Sequence, residues 1–292
     1  MTPQFPGRSA LHAYYAYLGA TPEEIRVMLD EPDLPSRALP GGVPPRVLES
    51  ALARFAADRL GPGWGAIREV PHRPFDGETP GDAAALHDVP IIALTGRRRT
   101  GKSSLSDRLC RLTGYVHAHP FNAGKALIRA WLESVGADAE TAERMTNGDL
   151  KDAPTPLLPP APDGSPRSPR FVMEELGAFM PNDPDLGHEW TLGAEIARRA
   201  RDGAAGVVLS SAAHEAVTIA GLPGSVIIRV TSDEEMRFAR AGGVNLTDLA
   251  CDDVRADLEF HNDMDGPAVL DRWEAFLITN GIVDSPCDTP EP

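Results

Sequence analysis

Before residue 90, apolar residues recur with the spacing of amphipathic helices. Two such segments, 21–29 and 45–60, are separated by a connector rich in proline and glycine. The first segment opens with Thr21, Pro22 and Glu24, which are the residue types of an N-terminal capping box. This part of the chain is therefore predicted to be a small set of helices ending in a loop-rich connection.

After residue 88 the pattern changes to short apolar runs separated by helical segments. Runs rich in β-branched residues at 89–94, 206–209 and 225–230 predict buried parallel strands. Helical spacing is seen between and after them, in segments 103–112, 123–135, 192–201, 233–241 and 271–280. Strands that alternate with helices are typical of an α/β fold with a parallel sheet flanked by helices.

This change of pattern predicts three parts of the chain: a helical appendage over 1–88, an α/β domain over 89–282 and a tail over 283–292. Within the predicted domain, segment 151–169 holds seven of the chain's 28 prolines. The strand–helix pattern resumes after this segment without a complete new core. We therefore predict a long loop inserted in one domain rather than a linker between two.

The charge balance narrows the range of partners. Asp and Glu number 43 and Lys and Arg 28, so the formal net charge is −15. A field of this sign repels nucleic-acid backbones and anionic membranes, so a site for a phosphorylated ligand must be a local basic pocket. The three widely spaced cysteines form no disulfide framework or zinc pattern, and no signal-like or membrane-spanning run is present. We expect a cytoplasmic protein, and leave open whether it forms a homodimer.

One segment carries a specific chemical signal, because it matches the pattern G-x-x-x-x-G-K-[ST] between a predicted strand and a predicted helix. Such a loop turns its backbone N–H groups toward phosphate oxygens at the positive end of the helix dipole. Lys102 would reach the β- and γ-phosphates of ATP, and the Ser103 hydroxyl would hold Mg²⁺. The predicted nucleotide-binding residues are Gly96, Arg97, Arg98, Arg99, Thr100, Gly101, Lys102, Ser103 and Ser104.

A phosphate-binding loop alone does not choose between a kinase, a GTPase and an ATPase. The N/T-K-x-D motif that reads guanine in GTPases is not found in the chain. The motor and AAA ATPases require acidic residues at the end of a second strand, whereas the run 206–209 is followed by Ser210 and Ser211. The G-x-G-x-x-G fingerprint is absent from this loop, which disfavours NAD.

Four segments between residues 89 and 280 resemble the bacteriophage deoxynucleoside monophosphate kinases, P-loop proteins of the adenylate-kinase-like class. The first is the strand and loop just described. The second, Ser168-Pro169-Arg170 with Leu176-Gly177, is similar to the family's S-P-R-x-x-x-Q-x-L-G segment. The third and fourth are Val207-Val208-Leu209 leading to His214-Glu215-Ala216, similar to D-V-R-F-x-N-E-A, and Asn262-Asp263 with Gly266, similar to N-D-G.

The resemblance implies a P-loop NTPase-type fold and transfer of the γ-phosphoryl group of ATP, with Mg²⁺, to a nucleotide. It implies that Arg170 binds the acceptor phosphate and that Lys102 binds the donor phosphates. Arg237 and Arg240 would belong to a lid that closes on the transferring group, unless they lie on a solvated helix. Glu174 stands where the family has glutamine, and a carboxylate would favour a base edge rich in hydrogen-bond donors.

The sequence also departs from the family pattern. Leu209 and Ser211 replace the aspartate and the arginine of D-V-R-F, which affects Mg²⁺ placement and the grip on the acceptor. Two alternatives therefore stay open. One is a kinase that acts on a hydroxymethylated base in phage DNA, which the net charge disfavours, and the other is a nucleotide-binding protein without catalysis.

Overall fold

The computed structural model describes most of the chain as two compact units. The first unit comprises Met1–Asp88 and Pro120–Arg201, and the second comprises Val89–His119 and Asp202–Pro292. The described residues are 7–30, 43–60, 89–184, 186–187, 189–233, 246–263 and 268–284.

The second unit is built on a five-stranded sheet in the order β2-β3-β1-β4-β5, and every strand pair is parallel. The strands are β1 (Ile91–Thr95), β2 (Val116–Ala118), β3 (Val207–Ser210), β4 (Val226–Thr231) and β5 (Leu258–His261). Strand β1 lies in the centre and is buried along its whole length, as expected for a parallel strand with both faces covered. The predicted α/β class with a parallel sheet flanked by helices is confirmed.

The helices of this unit are α4 (Lys102–Thr113), α9 (Ala216–Ala220), α10 (Leu246–Asp252) and α11 (Ala268–Thr279). Alternate strand residues, including Ile92, Leu94 and Val208, share one hydrophobic core with Leu105 of α4 and Trp273 of α11. The indole Nε1 of Trp273 also donates to the carbonyl oxygen of Leu105 at 3.1 Å. This contact fixes α11 against the helix that follows the glycine-rich loop.

The first unit consists mainly of helices. They are α1 (Gly7–Tyr17), α2 (Pro22–Asp30), α3 (Pro45–Phe55), α5 (Asn122–Ser134), α6 (Ala139–Asn147), α7 (Pro169–Phe179) and α8 (Ala194–Arg201). The predicted capping box is confirmed, since the Thr21 amide donates to Glu24 Oε2 at 2.7 Å and the Glu24 amide donates to Thr21 Oγ1 at 3.3 Å. Helix α1 packs on α5, and the Tyr14 hydroxyl donates to the Trp190 carbonyl oxygen at 2.8 Å.

This division differs from the three parts predicted from the sequence. The N-terminal helices share one core with the segment 120–201, which the sequence pattern assigned to the α/β domain. The physical reason is that apolar faces on both sides of residue 88, such as those of Leu48, Phe55, Leu127 and Trp131, are buried together. The proline-rich segment 151–169 lies inside this first unit.

The structure differs from the sequence prediction in several individual elements. Strands β2 and β5 were not predicted, and residues 56–60 continue α3 as a π-helical turn. Most of the predicted helix 233–241 lies outside the described residues. Within the described part of the chain, no helix has the length and apolar character needed to cross a membrane.

Candidate nucleotide site and its surroundings

The glycine-rich loop, residues 96–103, joins the carboxyl end of β1 to the start of α4. Gly96 has a φ of 130°, and a Cβ atom there would lie 2.2 Å from the carbonyl oxygen of Val230 on β4. Gly101 has a φ of 91°, and a Cβ atom there would lie 2.5 Å from Asn262 Nδ2. Both positions therefore require glycine, because the backbone conformation is left-handed and a neighbour occupies the space of a side chain.

Lys102 is buried and points back into the loop. Its Nζ donates to the carbonyl oxygens of Gly96 and Arg97, each at 2.6 Å. Burial lowers the pKa of Lys102 to about 8, and the nearby Cys251 and Asp248 act in the opposite direction. The ammonium group is thus held by carbonyl oxygens that an anionic ligand could replace.

The hydroxyl-bearing residues of the loop have two different environments. Thr100 is buried, and its Oγ1 donates to the Arg97 carbonyl oxygen at 3.0 Å. Ser103 and Ser104 are exposed in the first turn of α4. Helix α4 begins after Gly101 without a side-chain cap. Its N-terminal end therefore offers backbone donors and an exposed hydroxyl to a ligand.

The three loop arginines are not equivalent. Arg97 forms a two-pronged ion pair with Asp252, with both N–O distances at 2.8 Å. The Arg98 amide donates to Oδ1 of the buried Asp248 at 2.6 Å, and its Nε lies 3.4 Å from Oδ2. Arg99 is exposed, with a φ of 65°. The structure therefore ties two of the predicted cationic side chains to helix α10.

Asn262, which follows β5, supports the loop from behind. Its Nδ2 donates to the Thr100 carbonyl oxygen at 2.9 Å, and its amide donates to the Thr231 carbonyl oxygen at 2.8 Å. Its Oδ1 is buried and has no hydrogen-bond partner within the described residues. Sequence reasoning identified Asn262 only through a family resemblance, and no sequence signal pointed to Asp248.

The end of β3 carries no carboxylate, as the sequence indicates. Ser210 Oγ instead lies 2.8 Å from His117 Nε2, and the other ring nitrogen of His117 lies 3.5 Å from Asp107 Oδ1. Glu215 is buried and accepts a 3.3 Å hydrogen bond from the Ala213 amide, so it caps its own turn. In the part of the chain that the structure describes, no cluster of His, Cys, Asp or Glu could hold a metal ion.

The residues predicted to bind the acceptor lie in the other unit. Arg170 is in the first turn of α7 and pairs with Asp152, with Nη2 and Oδ2 3.0 Å apart. Its Nη1 lies 4.0 Å from Glu174 Oε1, one turn further along the helix. Arg170 and Glu174 therefore stand together within the first unit. Arg237 and Arg240 lie outside the described residues.

Comparisons with known proteins give little further information. No protein-family model matches the chain, and no curated protein matches it. One similar solved structure is an unliganded sugar kinase from Janibacter sp. HTCC2649, which is 12% identical. The match covers 67% of this chain and 96% of that protein, with a TM-score of 0.31. A similarity this low defines neither the fold nor the function of the chain.

Proposed function

We propose that the protein is an ATP-dependent phosphotransferase of the deoxynucleoside monophosphate kinase type. The observation that carries the proposal is the glycine-rich loop at the end of the central strand, with Lys102 folded onto its carbonyl oxygens. Phosphoryl transfer requires mainly positioning and charge neutralisation, and this loop provides a cation, backbone donors and a helix N-terminus at one place.

In this proposal the ATP phosphates bind along residues 96–104. The Lys102 ammonium would exchange the Gly96 and Arg97 carbonyl oxygens for β- and γ-phosphate oxygens, which are stronger acceptors for a cation. Asn262 and Asp248 would keep the loop backbone in place during this exchange.

The residues present fit a magnesium ion that arrives with the nucleotide. Ser103 is exposed at the helix start and would be the protein ligand, with phosphate oxygens and water completing the shell. The ion would neutralise charge on the phosphates. The carboxylates near the loop, Asp248 and Asp252, are engaged by Arg98 and Arg97. We therefore expect Mg²⁺ to bind tightly only together with ATP.

The acceptor would be a nucleotide that contacts Arg170 and Glu174. Arg170 is a guanidinium donor suited to a phosphate, while Glu174 only accepts hydrogen bonds. A base edge rich in donors, as in dCMP or dGMP, would suit Glu174. A comparison of dCMP, dGMP and dTMP as acceptors tests this, because a clear preference for dTMP contradicts it. From the sequence, Arg237 or Arg240 would close on the transferring group.

The experiment that tests the proposal is phosphoryl transfer from γ-labelled ATP to a panel of nucleoside monophosphates with Mg²⁺. We expect labelled diphosphate from the wild-type chain and a loss of at least roughly 100-fold with Lys102→Ala. The exposed Arg26→Gln variant is the control and should keep wild-type activity. Full activity of a folded Lys102→Ala protein would sink the proposal.

A second candidate function is nucleotide binding without catalysis. The observation that favours it is the end of β3, where Leu209 and Ser211 replace the family's aspartate and arginine, and Ser210 contacts His117. This candidate predicts that ATP raises the melting temperature by mass action, while no acceptor becomes labelled. A kinase for a hydroxymethylated base in DNA would instead label modified DNA, which the net charge of −15 disfavours.

A further inference from the structure

Lysine is rare in this chain and its positions are informative. Only Lys102, Lys125 and Lys151 occur among 28 basic residues, the rest being arginine. Lys102 belongs to the glycine-rich loop. The other two lie in the first unit, Lys125 on α5 and Lys151 on the short 3-10 helix Asp149–Asp152. Helix α7 packs against both α5 and this 3-10 helix, so Lys125 and Lys151 lie close enough to Arg170 for their charges to interact.

Lys125 lies in an environment that disfavours its charge. Loss of hydration, the largest cause, and the positive charges of Lys151 and Arg170 together lower its pKa to about 8, while Glu143 and Glu195 act in the opposite direction. Its side chain makes no hydrogen bond or ion pair with any residue that the structure describes. A half-buried ammonium beside two other cations is unfavourable unless an anion joins them.

The carboxylates near Lys125 are already engaged by other groups. Asp152, the chain neighbour of Lys151, pairs with Arg170. Glu143 and Glu195 accept several hydrogen bonds each, from Arg129, Asn147, Tyr17, Asn122 and Arg199. None of these acids is therefore free to become the dedicated partner of Lys125. Among the residues that the structure describes, no carboxylate is thus left for Lys125, and an anion from solution would fit there.

The start of α7 adds further donors. Ser168 precedes the helix without forming a side-chain cap, Pro169 has no N–H group, and the Phe171 amide donates to the Ser168 carbonyl oxygen at 3.1 Å, so the donors of this site are side chains. Arg167 stacks over the Phe171 ring at 4.4 Å, and its Nε and Nη1 atoms are buried without hydrogen-bond partners in the described structure. Positive charge and unpaired donors thus accumulate around one helix start in a chain that is acidic overall.

We infer that the start of α7 and the adjoining part of α5 form a binding site for a phosphate monoester, with Lys125, Lys151 and Arg170 as its cations. The identity of the monoester rests on the proposed function: it is the acceptor nucleotide. When this nucleotide binds, its phosphate replaces Asp152 as the partner of Arg170. A phosphate dianion is the ligand class because several cations converge on one place. An alcohol acceptor would not need them.

The three lysines allow each one to be followed separately by NMR. In a chain labelled with [ε-¹³C]lysine, three signals are expected, and Lys→Arg variants assign them. The probes are inorganic phosphate, dCMP and deoxycytidine, added to the full chain. We expect phosphate and dCMP to shift the Lys125 and Lys151 signals and to move the Lys125 titration midpoint to higher pH. Deoxycytidine, which lacks the phosphate, should do neither.

Two variants are expected to change the affinity for dCMP in opposite directions. Lys125→Met should weaken binding roughly tenfold or more, because a charged hydrogen bond is lost while the side-chain stem is kept. Asp152→Asn should strengthen binding, because one of the carboxylates that compete with the phosphate for Arg170 is neutralised. A purely structural role of Asp152 predicts weaker binding instead. Arg26→Gln removes one exposed charge from the same unit and should leave affinity unchanged.

The outcomes separate this inference from the proposed function. If dCMP shifts the Lys125 signal but no phosphoryl transfer is found, the site stands and the kinase proposal fails. If transfer occurs while the Lys125 signal and the Lys125→Met affinity stay unchanged, the kinase stands and this site is wrong. Binding of dCMP that Asp152→Asn and Lys125→Met leave unaltered also overturns the inference.

Discussion

At the scale of single residues, the glycine-rich loop depends on close approaches that only glycine permits. Gly96 faces a backbone carbonyl oxygen, which cannot move away without breaking the sheet. Gly101 faces the side chain of Asn262, which is itself bonded to Thr100. A side chain should therefore be tolerated less well at Gly96 than at Gly101, although the sequence motif requires glycine at both positions.

Gly101→Ala should lower the free energy of unfolding by roughly 2–4 kcal/mol, because left-handed strain adds to a clash with Asn262. Gly114→Ala is the matched control, since Gly114 has a φ of 72° with open space around its Cβ position. We expect about 1 kcal/mol for that control in urea denaturation. In an Asn262→Ala background the cost of Gly101→Ala should fall toward the control value. An equal cost in both backgrounds would contradict the clash.

Lys125→Met should stabilise the ligand-free protein at neutral pH by roughly 1–3 kcal/mol, because a partly buried charge without a partner is removed. The folded pKa of about 8 is below the ordinary 10.5. Below pH 8 both states carry the proton, and the destabilisation is complete. Between pH 8 and 10.5 the folded chain loses this proton first, so wild-type stability rises with pH. Denaturation at pH 7 and 10 should therefore show the advantage of the variant shrinking. Lys151, Arg170, Glu143 and Glu195 face this group.

The sequence predicts the glycine-rich loop, but not the distant residues that hold its backbone in place. The motif names Lys102 and the glycines, because their roles follow from contacts within a few residues. Asp248 and Asn262 lie 150 and 162 residues away from their loop partners. Lys125 carried no recognisable motif, although the scarcity of lysine could have drawn attention to it.

At the scale of elements, the loop is held between the sheet and helix α10. Asp248 and Asp252 stand one turn apart on α10 and bind neighbouring loop arginines. Asp248 is fully buried, whereas Asp252 is partly exposed. The two contacts should therefore contribute very unequally.

Asp248→Asn should lower the free energy of unfolding by roughly 1–3 kcal/mol and weaken ATP binding, because a buried charged acceptor for the Arg98 amide is lost. Asp252→Asn should cost less than about 1 kcal/mol, since its ion pair is partly exposed to solvent. Chemical denaturation and ATP titration of both variants check this. Equal losses of stability at the two positions would show that burial of the carboxylate does not determine the size of its contribution.

The sequence predicted the elements whose hydrophobic pattern is strong. The three runs that form β1, β3 and β4 are rich in valine and isoleucine and are buried between helices. Strands β2 and β5 are sheet edges of three and four residues with a histidine in each. Their short, mixed sequences resemble loops, and only pairing with β3 and β4 makes them strands.

At the scale of the whole molecule, the N-terminal helices form part of the hydrophobic core of the first unit and are not a separate appendage. Helix α1 packs on α5, and Tyr14 and Tyr15 are fully buried. The sequence suggested an appendage because the connection before residue 89 is long and rich in proline and glycine. The apolar face on which these helices pack belongs to segment 120–201, which is separated from them in the sequence by the first strands of the second unit.

A chain that lacks residues 1–60 should therefore lose the cooperative unfolding of the first unit. Removing α1 to α3 would expose apolar side chains of α5, including Leu127 and Trp131. We expect dye binding to exposed apolar surface, aggregation and a broad calorimetric transition. Tyr14→Phe, which removes only the hydrogen bond to Trp190, should cost about 1 kcal/mol and keep one sharp transition. A soluble truncated chain with an unchanged melting temperature would support the appendage.

The central position of β1 has a consequence for how the chain reaches its native state. Its neighbours β3 and β4 are made more than a hundred residues later, since Ile91 pairs with Val207 and Ile92 with Val226. On the ribosome, β1 and the glycine-rich loop must therefore wait while all the helices through residue 201 emerge. Long-range parallel pairing is slow, and four of the five residues of the waiting strand are apolar. The same five residues that anchor the loop in the finished protein are the ones that a chaperone would need to shield during synthesis.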